Sequence, residues 1–583
     1  MTQERVQVSS VWNSTTSQKP NTRLFKSHSS VTQEQSHLQS PPTQTEIEDQ
    51  EFEQNKYEAT GLELQEKYGT ITPEEQQRLA LLRAKMNTYW QERRKAPSHT
   101  GFYYAKIAAI HGAAGAPPQQ LQKQLPIAQP QNQSEEKATQ VTTDPRRSNI
   151  EERLDKGQVG EAVVAIDDMF TQNFLAHHGG KVRGNAESLE AIQKRLSLAD
   201  KQAGTTKSAI IYVYIREQQL ELIIVPSKGK PIYKKQEVDR NTLLREIRRF
   251  RSKVTHRMEA QTKPINENLP LQQTLKGMYN QLIKPLEEEL NNLGINNLIF
   301  SMEQELQMMP IAALRDEEGK YLVEKFSLAL TPSFQMTDTD YEPLQDSSVL
   351  AMGASDFSEL SDLPFVEAEL QAITGLTQNQ TDDGKKFLNS DFTLENLKQK
   401  YSDFGARIVH LSSHGDFLPD KEGNVRHSYI AGIKDKMMIN LQDMQQINWG
   451  EIPPELLVLS NCRGTLGTKN AEFGMAGAGL ASGASSVVGG LWYVDDAATF
   501  QLMSEFYQQL QKQGVTKAQA LQQAQIAMLK GGLKFENGSE NGRLRLSNGT
   551  IVQLPNALVE GIESAQHQHP YFWAAFMVVG SSW

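Results

Sequence analysis

From about residue 155 onward, short apolar runs alternate with longer stretches of helical periodicity. Runs of this length and composition are typical of buried or half-buried strands. They cover residues 209–215, 220–225, 297–302, 347–352, 407–412, 456–460, 485–491 and 575–579. Helical patterns lie between many of them, at 364–373, 391–401, 497–512 and 516–530. Alternating strands and helices predict an α/β fold with a mostly parallel sheet flanked by helices.

The first 150 residues have a different composition, with 21 Gln and few apolar runs. A stretch such as 117–147 buries too little apolar surface to offset the entropy lost on ordering, so we expect residues 1–150 to form a largely disordered polar arm. One amphipathic helix is predicted inside the arm near 72–95, where Thr72 and Glu75 form a capping box. The apolar stripe of this helix indicates docking either on its own domain or on a partner.

The charge balance and the cysteine count exclude several classes of protein. Sixty Lys and Arg against 70 Asp and Glu give a net charge of −10, which argues against a protein that binds nucleic acid through a basic face. The single cysteine, Cys462, excludes an intramolecular disulfide and any zinc site with several cysteines. It also fits a reducing compartment.

Two further patterns bear on location. The first 30 residues contain no apolar run of signal-peptide length, so we expect no Sec-type export and a cytoplasmic location. Residues 473–494 are 22 uncharged positions that include six glycines. This composition favours a closely packed helix followed by a buried strand over a membrane span.

Two reactive side chains come directly after two of the most apolar runs. His414 and Gly415 follow the 407–412 run, and Cys462 follows the 456–460 run. Sites of open α/β sheets lie beyond the carboxyl ends of strands, so an imidazole and a thiol would emerge side by side if these strands are neighbours. His414 would then serve as base for the Cys462 nucleophile and as acid for the leaving amine, while the backbone N–H groups of Gly415 and Cys462 face the oxyanion. A cysteine buried as a small core residue is an alternative of equal weight on the residues alone.

Several blocks around these residues resemble the CHAT peptidases, the caspase-like group associated with HetF and with TPR repeats, in the clan that also holds caspases and separases. The sharpest blocks are IVHLSSHGDF, LLVLSNCRGT, FGMAGAGLASGASSVVGGLWYVDDAATFQLMSEFYQQL and HPYFWAAFMVVGSSW. The resemblance implies a caspase-like fold and a cysteine endopeptidase with His414 and Cys462 as its catalytic dyad. It also implies a degenerate first half at 155–345 and a catalytic half at 346–583. A catalytically inactive caspase-like binding or scaffold module is the alternative.

The resemblance extends to a candidate specificity residue, although the chain departs from the family beside Cys462. Many CHAT proteins carry Ala-Cys-Glu-Thr where residues 461–464 here are Asn-Cys-Arg-Gly, so specificity cannot be copied across. In separase-like relatives an acidic residue soon after a Leu-Trp pair contacts a basic substrate residue before the scissile bond. Asp496 is the closer match to that position and Asp495 is the alternative, which predicts cleavage after Arg or Lys. An Asp that caps the helix starting near residue 497 is the competing structural role.

The arm carries a weaker resemblance of its own. Residues 71–107 resemble a segment near the start of some proteins encoded with bacterial contractile injection systems. This implies an effector whose arm binds an injection particle or an activating protein, with a protein as the substrate of the catalytic half. A protease that acts on itself within the 100–150 linker is a third alternative, and the basic sites there are Lys106, Lys123, Lys137, Arg146 and Arg147. We expect neither a cofactor nor a metal, since no Cys or acidic ligand set lies near His567 and His569.

Overall fold

The computed structural model describes residues 76–85, 144–184, 188–255, 269–357, 362–377, 386–416, 429–431, 437–462, 474–492, 494–538, 541–560, 562, 564 and 566–583. The chain divides into two compact units, Met1–Lys137 and Ala138–Trp583. In the first unit, residues 76–85 are helical with Leu79 and Leu82 buried, and this stretch lies within the predicted helix near 72–95. The capping residues Thr72 and Glu75 lie outside the described residues, as does the rest of the arm before residue 144.

The second unit begins with three helices and then alternates strands with helices. In chain order its first elements are α1 (Pro145–Asp155), α2 (Val159–His178), α3 (Leu189–Ala203), β1 (Ser208–Ile215), β2 (Gln219–Pro226), β3 (Ile232–Glu237), α4 (Arg240–Val254), α5 (Leu269–Leu282), α6 (Lys284–Asn292), β4 (Asn297–Met302), α7 (Leu322–Lys325) and β5 (Ser327–Thr331). Helix α1 starts inside the stretch that we assigned to the arm, because Asp144 caps it and Pro145 occupies its first turn.

The remaining elements carry the residues of the candidate dyad. They are β6 (Val349–Gly353), α8 (Phe365–Leu376), β7 (Lys386–Leu388), α9 (Leu394–Phe404), β8 (Ile408–Asp416), β9 (Tyr429–Ala431), β10 (Met437–Asn440), α10 (Leu441–Gln445), β11 (Leu456–Cys462), α11 (Gly474–Ser482), β12 (Ser486–Gly490), α12 (Asp496–Leu510), α13 (Lys517–Leu529), β13 (Lys534–Glu536), β14 (Gly542–Arg545), β15 (Ile551–Leu554), α14 (Asn556–Val559), α15 (Pro570–Trp573) and β16 (Phe576–Gly580). The predicted succession of a packed helix and a buried strand at 473–494 is confirmed by α11 and β12.

Within the described part of the chain, thirteen strands form one sheet, and its long path runs β8-β11-β12-β16-β5-β4-β1-β2-β3. Strand β6 pairs in parallel with both β7 and β8, while β9 and β10 continue from the end of β8. The pairs β8·β11 and β11·β12 are parallel, as are β16·β5, β5·β4 and β4·β1. The α/β prediction with a mostly parallel sheet flanked by helices is therefore confirmed.

Near the middle of the sheet, the strand direction reverses between β12 and β16. Strand β16 pairs antiparallel with β12 and parallel with β5. Strands β6, β8, β11 and β12 consequently run opposite to β16, β5, β4 and β1. The carboxyl ends of β8, β11 and β12 meet at one edge of the sheet, which positions the candidate site.

Between α13 and the last strand, β13, β14 and β15 form a separate three-stranded antiparallel sheet. The turn at 546–550 contains Gly549 at φ 89°, a backbone conformation that glycine adopts without strain. Among the described residues, no helix combines the length and apolar character needed to cross a membrane.

Candidate active site

The two residues of the candidate dyad lie on neighbouring parallel strands. The register of β8 and β11 makes His414 the Cα partner of Cys462. Because paired strands lie about 4.8 Å apart, the two backbones are adjacent at the carboxyl edge of the sheet. The Cys462 side chain and residues 463–473 lie outside what the structure describes. Contact between thiol and imidazole therefore stays a prediction.

The predicted oxyanion donors occupy the same edge. Gly415 follows His414 and is the Cα partner of Ile430 in β9, and Cys462 is the last residue of β11. Their N–H groups thus belong to backbone at the edge of the sheet. At this edge the pairing of β8 with β6 has ended and its pairing with β9 begins. Their role toward an oxyanion also stays a prediction.

His414 lies just beyond the end of β6. Gly353, the last residue of β6, is the Cα partner of Ser412, two residues before His414. The loop that follows β6 therefore reaches the half-buried imidazole from the side. Its residue Phe357 places its ring centroid 4.7 Å from that of His414, with the planes at 60°. This edge-to-face arrangement is one that aromatic pairs favour.

The two candidate specificity carboxylates have different partners. Asp495 caps α12 and accepts hydrogen bonds from the N–H groups of Ala497 (3.1 Å) and Ala498 (3.4 Å). The capping role considered for an Asp at this position thus belongs to Asp495. Asp496 Oδ2 instead accepts a hydrogen bond from the backbone N–H of Phe365 at 2.8 Å. A specificity role for either carboxylate stays a prediction.

The protonation of Asp496 responds to its surroundings. Burial raises the pKa of this carboxyl to about 7, with further contributions from the charges of Glu369 and Asp495, against the opposing effect of the Phe365 N–H. Glu369 lies one helical turn after Phe365 in α8, so the N–H that binds Asp496 and the carboxylate whose charge raises its pKa belong to the same helix. Asp496 is therefore half protonated near neutral pH, and a cation beside it would favour its ionised form.

A second histidine on β8 belongs to the core. His410 is fully buried, and its Nε2–H donates to Glu369 Oε1 at 2.8 Å. The Tyr507 hydroxyl lies 3.1 Å from His410 Nδ1. The other carboxylate oxygen of Glu369, Oε2, is buried and has no hydrogen-bond partner among the described residues.

The two histidines near the chain end serve local structure. Nδ1 of His567 bonds to Gln501 Oε1 at 2.7 Å, and burial lowers the pKa of this imidazole to about 4. Nδ1 of His569 accepts the N–H of Tyr571 at 3.1 Å and caps α15. Within the described part of the chain, no group of three or more His, Cys, Asp and Glu is arranged to hold a metal ion.

Two of the basic sites considered for self-cleavage lie in regular structure. Arg146 and Arg147 belong to α1, and Arg146 pairs with Asp144 at 2.8 Å. The Arg147 guanidinium lies 3.2 Å from Glu303 Oε1 and 4.5 Å from the centroid of the Tyr214 ring. A cut at either arginine would require unwinding of α1. The other three sites, Lys106, Lys123 and Lys137, lie outside the described residues.

Two residues near the site escaped prediction from sequence. Phe357 contacts His414 from 57 positions away, and Glu369 contacts His410 from 41 positions away. Glu369 occupies an ordinary place in an amphipathic helical pattern, and Phe357 lies in a loop. Only the pairing of β6 with β8 brings either of them to the candidate site.

Comparison with known proteins places these residues in a family. A family model described as the CHAT domain matches residues 272–581, which is more than half of the chain. Among curated proteins, none matches this sequence.

Similar solved structures include two kinds of protein. A separase–securin complex of Saccharomyces cerevisiae shares 10% identity at a TM-score of 0.36, over 67% of this chain and 31% of that chain. The chain thus spans about a third of the separase chain that it matches. The Arg-specific cysteine proteinase gingipain R shares 10% identity at a TM-score of 0.32, over 56% of this chain and 72% of that chain. A complex of the pro- and mature domains of Porphyromonas gingivalis RgpB shares 12% identity at a TM-score of 0.31, over 56% and 71%.

Proposed function

Since the chain belongs to the CHAT domain family, we propose that it is a cysteine endopeptidase with His414 and Cys462 as its catalytic dyad. The observation that carries the proposal is the parallel register in which His414 is the Cα partner of Cys462. A base adjacent to a thiol is what converts an ordinary cysteine into an effective nucleophile at neutral pH.

The proposed reaction proceeds in two stages through an acyl-enzyme. His414 accepts the thiol proton of Cys462, and the sulfur attacks the peptide carbonyl carbon to form a tetrahedral oxyanion, which the N–H groups of Gly415 and Cys462 stabilise. The C–N bond then breaks, and the His414 imidazolium donates its proton to the leaving amine. In the second stage His414 takes a proton from water, the hydroxide attacks the thioester, and the acid product leaves as the thiol is restored.

A cleavage profile tests this proposal. The purified protein and its Cys462→Ala variant are incubated with the same diverse peptide mixture, and new peptide ends are identified by mass spectrometry. We expect cuts only with the wild-type protein, since removal of the nucleophile costs several orders of magnitude in rate. Equal profiles for the two proteins would contradict the proposal and favour the binding or scaffold alternative.

We further propose that the enzyme cleaves after Arg or Lys, with Asp496 as the carboxylate that receives the basic side chain and Asp495 as the alternative. The half-buried position of Asp496 at the start of α12, beside the carboxyl edge of β12, supports this assignment. In the same profiling experiment, Asp496→Asn should weaken the preference for a basic residue before the scissile bond. A profile dominated by cuts after Asp or after apolar residues would exclude it.

The arm is the proposed docking element, through which an injection particle or an activating protein binds. Its support is the resemblance of residues 71–107 together with the helix at 76–85. A deletion of residues 1–143 keeps Asp144, which caps α1, so the second unit retains its first helix. We expect the deletion to abolish co-purification with the particle and to leave the intrinsic peptidase activity unchanged. Unaltered association would remove the docking role.

A further inference from the structure

The loop after β6 holds an aromatic ring against the candidate base. Residues 354–357 leave the sheet at Gly353, and Phe357 ends this stretch with its ring 4.7 Å from the imidazole of His414. The ring meets the imidazole at 60°. An aromatic ring in this geometry restricts rotation of a neighbouring imidazole and keeps water away from one side of it.

The start of the loop is fixed directly to the strand that carries His414. The N–H of Ala354 donates to the Ser412 carbonyl at 3.0 Å. A Cβ atom on Gly353 would lie 2.5 Å from the same carbonyl oxygen and 2.7 Å from Cγ1 of Val366. Glycine is therefore the residue that allows β6 to lie this close to β8. The hydrogen bond and the short distance together hold the start of the loop against β8.

A single asparagine binds the middle of the loop. Asn389 Oδ1 accepts from the N–H groups of Ser355 at 2.8 Å and Asp356 at 3.3 Å. Its amide nitrogen donates to Ser355 Oγ at 3.1 Å and to Asp356 Oδ2 at 3.0 Å. One side chain thus contacts both backbone and side-chain atoms of two successive loop residues.

Asn389 makes these contacts from an unusual backbone conformation. Its φ is 54°, and among the described non-glycine residues only Asp346 also has positive φ. This left-handed region is disfavoured for residues with a Cβ atom, and such conformations cluster at functional sites. The N–H of Phe357 donates to Asp362 Oδ1 at 3.0 Å. The stretch 354–357 is therefore held by hydrogen bonds at its first, middle and last residues.

We propose that Phe357 is a positioning residue for His414, and that Asn389 holds Phe357 in place. This inference rests on the proposed function, because it concerns the orientation of the dyad base. Small displacements of a catalytic group lower rates by as much as about 100-fold. Neither residue is expected to touch the substrate, so both should act on turnover more than on substrate binding.

Because Cys462 is the only cysteine, thiol labelling reports on the dyad without any substrate. We would measure the rate of iodoacetamide alkylation against pH, together with kcat and KM on a peptide substrate. A thiol paired with an imidazole reacts at about pH 6, where an ordinary thiol is almost inert. For Phe357→Ala we expect alkylation at about pH 6 and kcat to fall about 10-fold or more, with KM within about 3-fold. Alkylation at high pH should be unchanged.

Graded variants separate positioning from general stability. Phe357→Tyr keeps the ring and should retain activity within about 3-fold, whereas Phe357→Leu keeps apolar volume without the ring and should resemble Phe357→Ala. Asn389→Gly retains the left-handed backbone but removes the amide contacts, and it should give an intermediate loss. Phe404→Ala is the matched control, because Phe404 is a half-buried ring that stacks on Phe387 instead of His414.

The outcomes distinguish this inference from the proposed function. If wild-type Cys462 alkylates as an ordinary thiol and no substrate is cut, the dyad itself is wrong. If the wild-type thiol is activated and Phe357→Ala or Phe357→Leu leaves its pH dependence unchanged, Phe357 has no positioning role. An equal loss in Phe404→Ala would likewise overturn the inference, since that ring does not face the imidazole. Should Phe357→Ala fail to fold, Phe357→Leu and Asn389→Gly decide the question.

Discussion

Asp496 couples pH to the stability of the candidate site. Its pKa is about 7 in the folded protein, against an ordinary value of 3.8. Between about pH 4 and 7 the unfolded chain therefore releases a proton that the folded chain retains. The free energy of unfolding falls as pH rises through this window, and the deficit persists at higher pH.

The variant Asp496→Asn should remove this pH dependence. An amide oxygen can still accept the N–H of Phe365, and it carries no charge to be buried beside Glu369 and Asp495. We expect the variant to be more stable than the wild type by about 1–3 kcal/mol at about pH 8, and equal to it at about pH 4. Urea unfolding at both pH values measures the difference. As a control, Thr393→Ala should cost about 1 kcal/mol at both pH values, because it removes the side chain that caps α9. A pH-independent effect of Asp496→Asn would contradict the argument.

The role of a single residue could be predicted from the sequence only where it depends on neighbouring residues in the chain, as in a helix cap or a strand end. An aspartate before a helical pattern is a cap wherever the helix begins, and Asp495 satisfies that rule. His414 and Cys462 each follow an apolar strand, so their shared register could be anticipated from strand ends alone. Phe357 and Asn389 obey no such rule, because their roles depend on contacts between distant strands and loops.

Among the strands, those buried on both faces were the easiest to predict from the sequence, because they form continuous apolar runs. Strand β4 was predicted with its observed bounds, because all its residues are buried and read as one apolar run. Strand β3 was missed since it lies at the edge of the sheet and its IYKKQE sequence is only partly buried. Strand β5 was missed although it is buried throughout; its five residues directly follow the short helix α7, which obscures where an apolar run starts.

The junction of β6 with β8 gives a test at this scale. Gly353→Ala would place a methyl group 2.5 Å from a backbone oxygen of β8 and 2.7 Å from Val366. Neither neighbour can move far, because the oxygen belongs to a paired strand and Val366 is buried in α8. We expect a loss of about 1–3 kcal/mol in the free energy of unfolding, measured by urea titration. Gly375→Ala is the matched control, since the space around Gly375 in α8 is open. That variant should be neutral or gain up to about 1 kcal/mol from helix propensity. Equal effects at the two glycines would show that the close approach of β6 to β8 does not determine the loss of stability.

At the scale of the second unit, the proposed halves 155–345 and 346–583 share one sheet and one core. Strand β16, near the chain end, pairs with β5 from the first stretch. Side chains cross the same boundary: Arg183 Nη2 donates to the Ala484 carbonyl at 2.8 Å, and the Ser485 hydroxyl donates to Asp338 Oδ2 at 3.0 Å. The two halves inferred from the family resemblance are therefore stretches of sequence that pack against each other. Local sequence patterns do not predict this packing, because it joins strands that are distant along the chain.

We therefore expect residues 346–583 not to fold alone. Without β5, the edge of β16 would present unpaired backbone groups and a buried apolar strand to solvent, which favours aggregation. The fragment 144–583 keeps every pairing and the capped α1, and calorimetry should show it unfolding in a single cooperative transition. Co-expression of 144–345 with 346–583 should restore solubility to the second piece, because the missing strands and core residues are supplied in trans. A soluble 346–583 fragment with its own sharp transition would instead establish the catalytic half as an autonomous domain, and the shared sheet would then be a docking interface between two folded parts.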